Sequence, residues 1–142
     1  MDALTRASKT AQLDQKRFVI LLLKWLIKYH AECMQPFAGS HLLPTMIIAC
    51  KERKVTLRAL AQRSLLYTLA MLDESTRERE VAKLDTFSRK QMEDILSTVP
   101  ALDAPEFDVQ EDLSEDHELF GLAPPTPLDQ AIKGIEQLRI FN

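Results

Sequence analysis

Glycine is scarce in this chain, three residues in 142, and no stretch alternates apolar and polar residues as a half-buried strand would. Both absences favour helices. The glycine-rich loop that cradles phosphates is missing, as are the nucleophile elbow and the His-Glu-x-x-His metal motif. Two cysteines, Cys33 and Cys50, are too few for a disulfide framework. Both fall in apolar helical stretches, so they are expected as buried reduced thiols of a cytoplasmic protein. No metal-ligand spacing joins them to His30, His41 or His117. No catalytic set emerges, and the sequence therefore predicts a non-enzymatic protein with no cofactor and no small-molecule substrate.

Basic residues are absent from a long stretch. Residues 91–132 hold no Lys or Arg and eleven Asp or Glu, whereas residues 1–90 carry sixteen Lys/Arg and nine Asp/Glu, a net +7. The overall charge of −3 hides this polarity. A membrane span is also lacking. The apolar run from Phe18 to Leu23, continued by Trp25, Leu26 and Ile27, is interrupted by Lys24 and Lys28 and is too short to cross a bilayer. It reads as the central helix of a core, with Arg17, Lys24 and Lys28 as a narrow polar stripe.

What is present reads as an all-α chain, a compact bundle of about five helices over residues 1–99. The first is expected at about 12–34, with Pro36 and Gly39 opening a loop after it. Pro44 suits the first turn of a second helix at about 43–53. A third, at about 57–72, would take Thr56 as N-cap, with Val55 packed on Leu60. Ser75-Thr76-Arg77-Glu78 and Ser88-Arg89-Lys90-Gln91 have the form of capping boxes and predict helices at about 76–84 and 89–97, with Phe87 stapled onto Met92. From Pro100 to Pro125 the composition turns acidic and proline-rich, which predicts a largely irregular linker over 100–125. Its Asp and Glu residues are interspersed with Phe107, Val109, Leu113, Leu119 and Phe120, so it can dock on a basic surface, and the expected surface is the Lys51–Arg63 face. Thr126-Pro127-Leu128-Asp129 then opens a short helix within a terminal unit at 126–142.

The last residues carry the most specific pattern, Gln137-Leu138-Arg139-Ile140-Phe141. It resembles the sliding-clamp-binding peptide of bacterial replication and repair proteins, a Gln-Leu-x-Leu-Phe type motif. Gln137, Leu138 and Phe141 match outright, Arg139 fills the tolerant position and Ile140 replaces leucine. The resemblance covers five of 142 residues. It implies that Leu138, Ile140 and Phe141 enter apolar pockets of the clamp while the Gln137 amide sets the register.

A basic patch completes the inventory. Lys51, Arg53, Lys54, Arg58 and Arg63 lie within thirteen residues, with Glu52 the only acid among them. Thr56-Leu57-x-x-Leu60-Ala61 resembles the opening of a helix-turn-helix, but the Gly-containing turn does not follow and no reading helix is identified. The sequence thus predicts a cytoplasmic adaptor of a bacterium, plasmid or phage. It would bind the sliding clamp through its tail, and DNA or a second replication or transcription protein through its body, with no membrane partner. The alternatives are a DNA-associated transcriptional regulator using the 51–63 patch, or an inhibitor whose acidic tract mimics nucleic acid.

Overall fold

In the computed structural model the backbone is described for residues 2–120 and the side chains for residues 14–119. The expected helix after Thr126 and the tail motif lie outside the described residues. Within them the chain is all-α, without a strand. Helix α1 spans Asp2–Tyr29 and is followed by a single turn, α2, at Ala31–Met34. A 3-10 turn at Gln35–Phe37 and a π turn at Ala38–Leu42 lead into α3, Leu43–Ala49. Then come α4 (Val55–Ala70), α5 (Glu74–Ala82), α6 (Thr86–Thr98) and α7 (Val109–Phe120).

The apolar run of α1 is the centre of the core. Val19, Ile20, Leu21, Leu22, Leu23, Leu26 and Ile27 are all buried, against Leu57, Leu60, Ala61 and Leu65 of α4 and Met46 and Ile47 of α3. Each such side chain contributes about 1.5–3 kcal/mol when fully removed from water. Two hydroxyls buried on α4 bond to their own helix: Ser64 Oγ donates to Leu60 O at 2.8 Å, and Thr68 Oγ1 to Ser64 O at 2.7 Å. Neither is left unsatisfied in the core.

Several local expectations need correction. Pro36 and Gly39 do not open a loop. Pro36 sits in the first turn of the 3-10 segment, where its missing N–H is no loss. Gly39 is buried in the π turn, and a Cβ there would run into the Glu80 carboxylate and stand 3.1 Å from the Glu80 carbonyl oxygen. Its role is the close approach of α5. Pro44 does start α3 as expected. Helices α5 and α6 are capped by Asp73 and Asp85, not by Ser75 and Ser88. Their carboxylates accept the backbone N–H of Thr76 at 2.7 Å and Ser88 at 2.6 Å. Asp is as good an N-cap as Ser, and both aspartates stand at the preceding turn. Helix α4 begins one residue before Thr56, and Lys54 at its cap position offers no side-chain bond. Val55 and Phe87 are exposed, so neither expected staple forms. Cys50 is buried, whereas Cys33 is exposed.

The main departure lies in the acidic stretch. Residues 109–120, expected to be irregular, form α7, which packs along α1. Residues 100–108 make the turn-rich connection from α6. Helix α7 starts with the Asp108 carboxylate accepting from Glu111 N at 2.9 Å, and ends with Leu119 in the core.

Candidate functional site

An acidic helix in isolation repels itself, because like charges at i,i+3 and i,i+4 oppose it. In α7 that spacing puts Asp112, Glu115 and Asp116 on one face, and α1 and α4 supply the opposite charge. Lys24, one turn before Lys28 on α1, has no solvent exposure at all. Its Nζ lies 2.5 Å from Asp112 Oδ1, 2.6 Å from Glu115 Oε1 and 3.8 Å from Asp116 Oδ1. It also donates to the Asp112 carbonyl at 3.2 Å. Lys28 Nζ bridges Asp112 Oδ2 at 2.9 Å and Asp116 Oδ2 at 2.6 Å. From α4, Arg63 holds Glu115 with two parallel bonds, Nε to Oε1 at 2.9 Å and one terminal nitrogen to Oε2 at 2.6 Å. Toward the end of α7, Arg17 grips Glu118 in the same forked way, at 3.3 and 2.8 Å.

Two phenols close the cluster. Tyr67 donates to Asp112 Oδ2 at 2.8 Å and Tyr29 to Asp116 Oδ2 at 3.0 Å. The Lys28 ammonium lies 5.0 Å from the Tyr67 ring centre and 5.4 Å from that of Tyr29. Lys24, Lys28 and Arg63 therefore meet Asp112, Glu115 and Asp116 with charges balanced.

The electrostatics follow from this geometry. Burial would push the Asp112 carboxyl up, but hydrogen bonds from Lys24, Lys28 and Tyr67 hold it below the usual carboxylate range. Burial works against the charge on Lys28, yet its bonds to Asp116 and Asp112 raise it above an ordinary lysine. Arg63 is raised against its burial by Glu115. Tyr67 is raised by burial and by its bond to Asp112. For Asp112, Lys28 and Arg63 hydrogen bonding and charge from their partners outweigh burial, whereas for Tyr67 burial and the hydrogen bond act together. A buried cluster of this kind adds modest net stability, because dehydrating the ions offsets most of their attraction.

The basic patch expected at 51–63 is divided. Arg63 belongs to the cluster. Arg58 turns back and donates to the Glu52 carbonyl at 3.4 Å, bracing the turn between α3 and α4. The carboxylate of Glu52 is held by Lys16 at 2.9 Å. Lys51 lies over the Phe87 ring, 5.2 Å from its centre, and Arg53 and Lys54 are exposed. The acidic tract docks, then, on Arg17, Lys24, Lys28 and Arg63, and the expected contact with Lys51, Arg53 and Lys54 is not formed. Gln137, Leu138, Ile140 and Phe141, expected to bind a partner, lie outside the described residues.

Sequence reasoning missed the site's centre although both halves were visible: the Arg17, Lys24, Lys28 stripe and the Asp-x-x-Glu-Asp spacing. The signal that joins them is their shared helical period. Among the described residues no group of His, Cys, Asp and Glu is arranged to hold a metal ion, and no helix is long and apolar enough to cross a membrane. No protein-family model, curated protein or solved structure matches the chain.

Proposed function

We propose that the protein is a non-enzymatic adaptor that engages the bacterial sliding clamp through Gln137, Leu138, Ile140 and Phe141. The observation that carries this reading is the tail sequence itself, Gln137-Leu138-Arg139-Ile140-Phe141. Three apolar anchors, each contributing about 1.5–3 kcal/mol on burial, less the cost of ordering the peptide, suit a micromolar complex near −8 kcal/mol. The seat of α7 supports an adaptor. It fixes the root of the tail on the body, and Gln137 stands seventeen positions after Phe120. At ~3.5 Å per residue at most, the motif reaches no farther than about 60 Å from that root. The ion cluster supports a binding role over catalysis, since its carboxylates and cations are engaged with one another.

The second partner, DNA or a protein of replication or transcription, would meet the body. The regulator alternative finds less support, because α4 runs unbroken through the place where a helix-turn-helix would bend. The inhibitor alternative also finds less, because Asp112, Glu115 and Asp116 turn toward the body.

Surface plasmon resonance against purified bacterial clamp tests the reading. Wild type is expected to bind in the micromolar range, and Phe141→Ala or Leu138→Ala to weaken binding by about 2 kcal/mol or more. Arg139→Ala should leave it unchanged. Absence of wild-type binding, or indifference to Phe141→Ala, would sink the proposal.

A further inference from the structure

The ion pairs sort the cations of the body into two populations. Lys16, Arg17, Lys24, Lys28, Arg63, Arg79 and Lys83 all have carboxylate partners. Among the described residues the others form none: Arg58 and Arg77 donate to backbone carbonyls instead, and Lys51, Arg53, Lys54, Arg89 and Lys90 have neither kind of partner and are all exposed. These five are not scattered. Lys51, Arg53 and Lys54 occupy the turn between α3 and α4, and Arg89 and Lys90 lie in the first turns of α6, which packs against α3.

Phe87 stands where the two segments meet. It is 67 % exposed, the most exposed of the large apolar side chains among the described residues, and the Lys51 ammonium lies over its ring at 5.2 Å. An exposed ring set among cations is a surface on which a base can stack. The one acid of the turn, Glu52, is withdrawn by Lys16, and Arg58 ties the turn down through the Glu52 carbonyl. Helix α4 starts beside it with no side-chain cap and no acid in its first turn, which adds partial positive charge.

We infer that this corner, with Phe87 at its centre and Lys51, Arg53, Lys54, Arg89 and Lys90 around it, binds single-stranded nucleic acid. An unpaired base stacks on the Phe87 ring, and the cations contact the flanking phosphates. Stacking platforms set in cationic surroundings take single strands without base-edge readout. A duplex keeps its base faces inside the stack and cannot use the ring. An acidic protein segment is the less favoured occupant: α7, which supplies one in the same chain, lies on the other cationic group and leaves this corner open. The inference does not rest on the clamp reading, and its test needs no clamp.

The experiment is fluorescence anisotropy of the full chain with a labelled twelve-residue oligodeoxythymidylate and with a duplex of equal length, over a salt series. The expected result is tighter binding of the single strand. Phe87→Ala should weaken it roughly five-fold to a hundred-fold, the range for loss of one stacked base, with the salt slope unchanged. Lys54→Ala should lower the slope by about 0.7, one phosphate contact on a single strand. Lys83→Ala, a cation already paired with Glu80, should alter neither. Phe87 is largely exposed, so circular dichroism should show its variant folded. No binding by wild type at low salt would overturn the proposal. So would equal affinity for duplex with no effect of Phe87→Ala, which is plain electrostatic attraction. Capture of an acidic peptide or of anionic vesicles, with no oligonucleotide bound, would assign the corner to that other partner and overturn it as well.

Discussion

Glu115 and Arg63 offer the sharpest test of the ion cluster. Replacing Glu115 with leucine removes one carboxylate from a balanced set and leaves Lys24, which is wholly buried, and Arg63 short of charge. Breaking a buried pair in this way costs about 3–5 kcal/mol. Undocking of α7 sets a ceiling, because it returns Lys24 to water at the expense of the Leu119 contact, itself about 1.5–3 kcal/mol. Glu115→Leu is therefore expected near the lower bound, about 3 kcal/mol, and Arg63→Leu similarly. Both changes together restore the balance, since Lys24 and Lys28 then face Asp112 and Asp116 alone. The double variant should lie well above the sum of the singles, with a coupling of about 2–3 kcal/mol. Urea melts followed by circular dichroism and by the single Trp25 give these values. Proteolysis of the 100–108 connection reports separately whether α7 has left. Singles that each cost under about 0.5 kcal/mol and simply add would refute a dry, mutually dependent cluster.

Other expectations follow from the same geometry. The Asp112 carboxyl is depressed below 3.8 in the folded protein, so its contribution is present above the ordinary carboxylate range and is lost as pH falls through its folded value. Lys28 is raised above 10.5, so its contribution is complete below that pH and is lost only on stronger alkalisation. Protease resistance of the 100–108 connection should therefore be flat through neutrality and fail first in acid. Cys33 should react with a disulfide reagent at once, whereas Cys50, buried and pushed up to about 12, should react only on unfolding; equal rates in the native state would contradict the packing of α3. Gly39→Ala forces its methyl group against Glu80 and should cost about 1–3 kcal/mol, readable as a lower melting temperature. Moderate salt should leave α7 in place, because buried pairs are screened far less than exposed ones; scattering that shows release at ~0.5 M would count against burial of Lys24.

The helices of the body were legible because their apolar positions recur at 3.6 residues and bury together, as the run through Leu26 and the Leu57, Leu60 and Leu65 series does. Helix ends were less so. Ser75 and Ser88 satisfied the capping pattern, but Asp73 and Asp85 start their helices earlier, accepting from Thr76 N and Ser88 N, and leave both serines inside the first turn. The π turn at Ala38–Leu42 left no trace, since the need for Gly39 arises from α5, forty residues on, and not from local conformation. Helix α7 was hidden for a similar reason. Its local signals, dense acids and nearby prolines, argue against order, and its partners lie about ninety positions away on α1. The division of the basic patch is likewise a tertiary fact: Arg63 differs from Lys54 only in what folds over it.

The latch between α7 and α1 also has a mechanical meaning. Its polar contacts include hydrogen-bonded ion pairs between 2.6 and 3.3 Å, and such bonds fail over displacements of an ångström or so. An apolar face slides and re-forms under load; a set of matched charges does not. Tension applied through the tail by a bound partner would reach the Arg17–Glu118 fork and Leu119 before it reached Lys24. The fork is the more exposed pair and yields first, while the buried lysine bears the remaining load. A body held by one macromolecule and pulled by another would thus stay whole up to a threshold force and then release α7 as a unit.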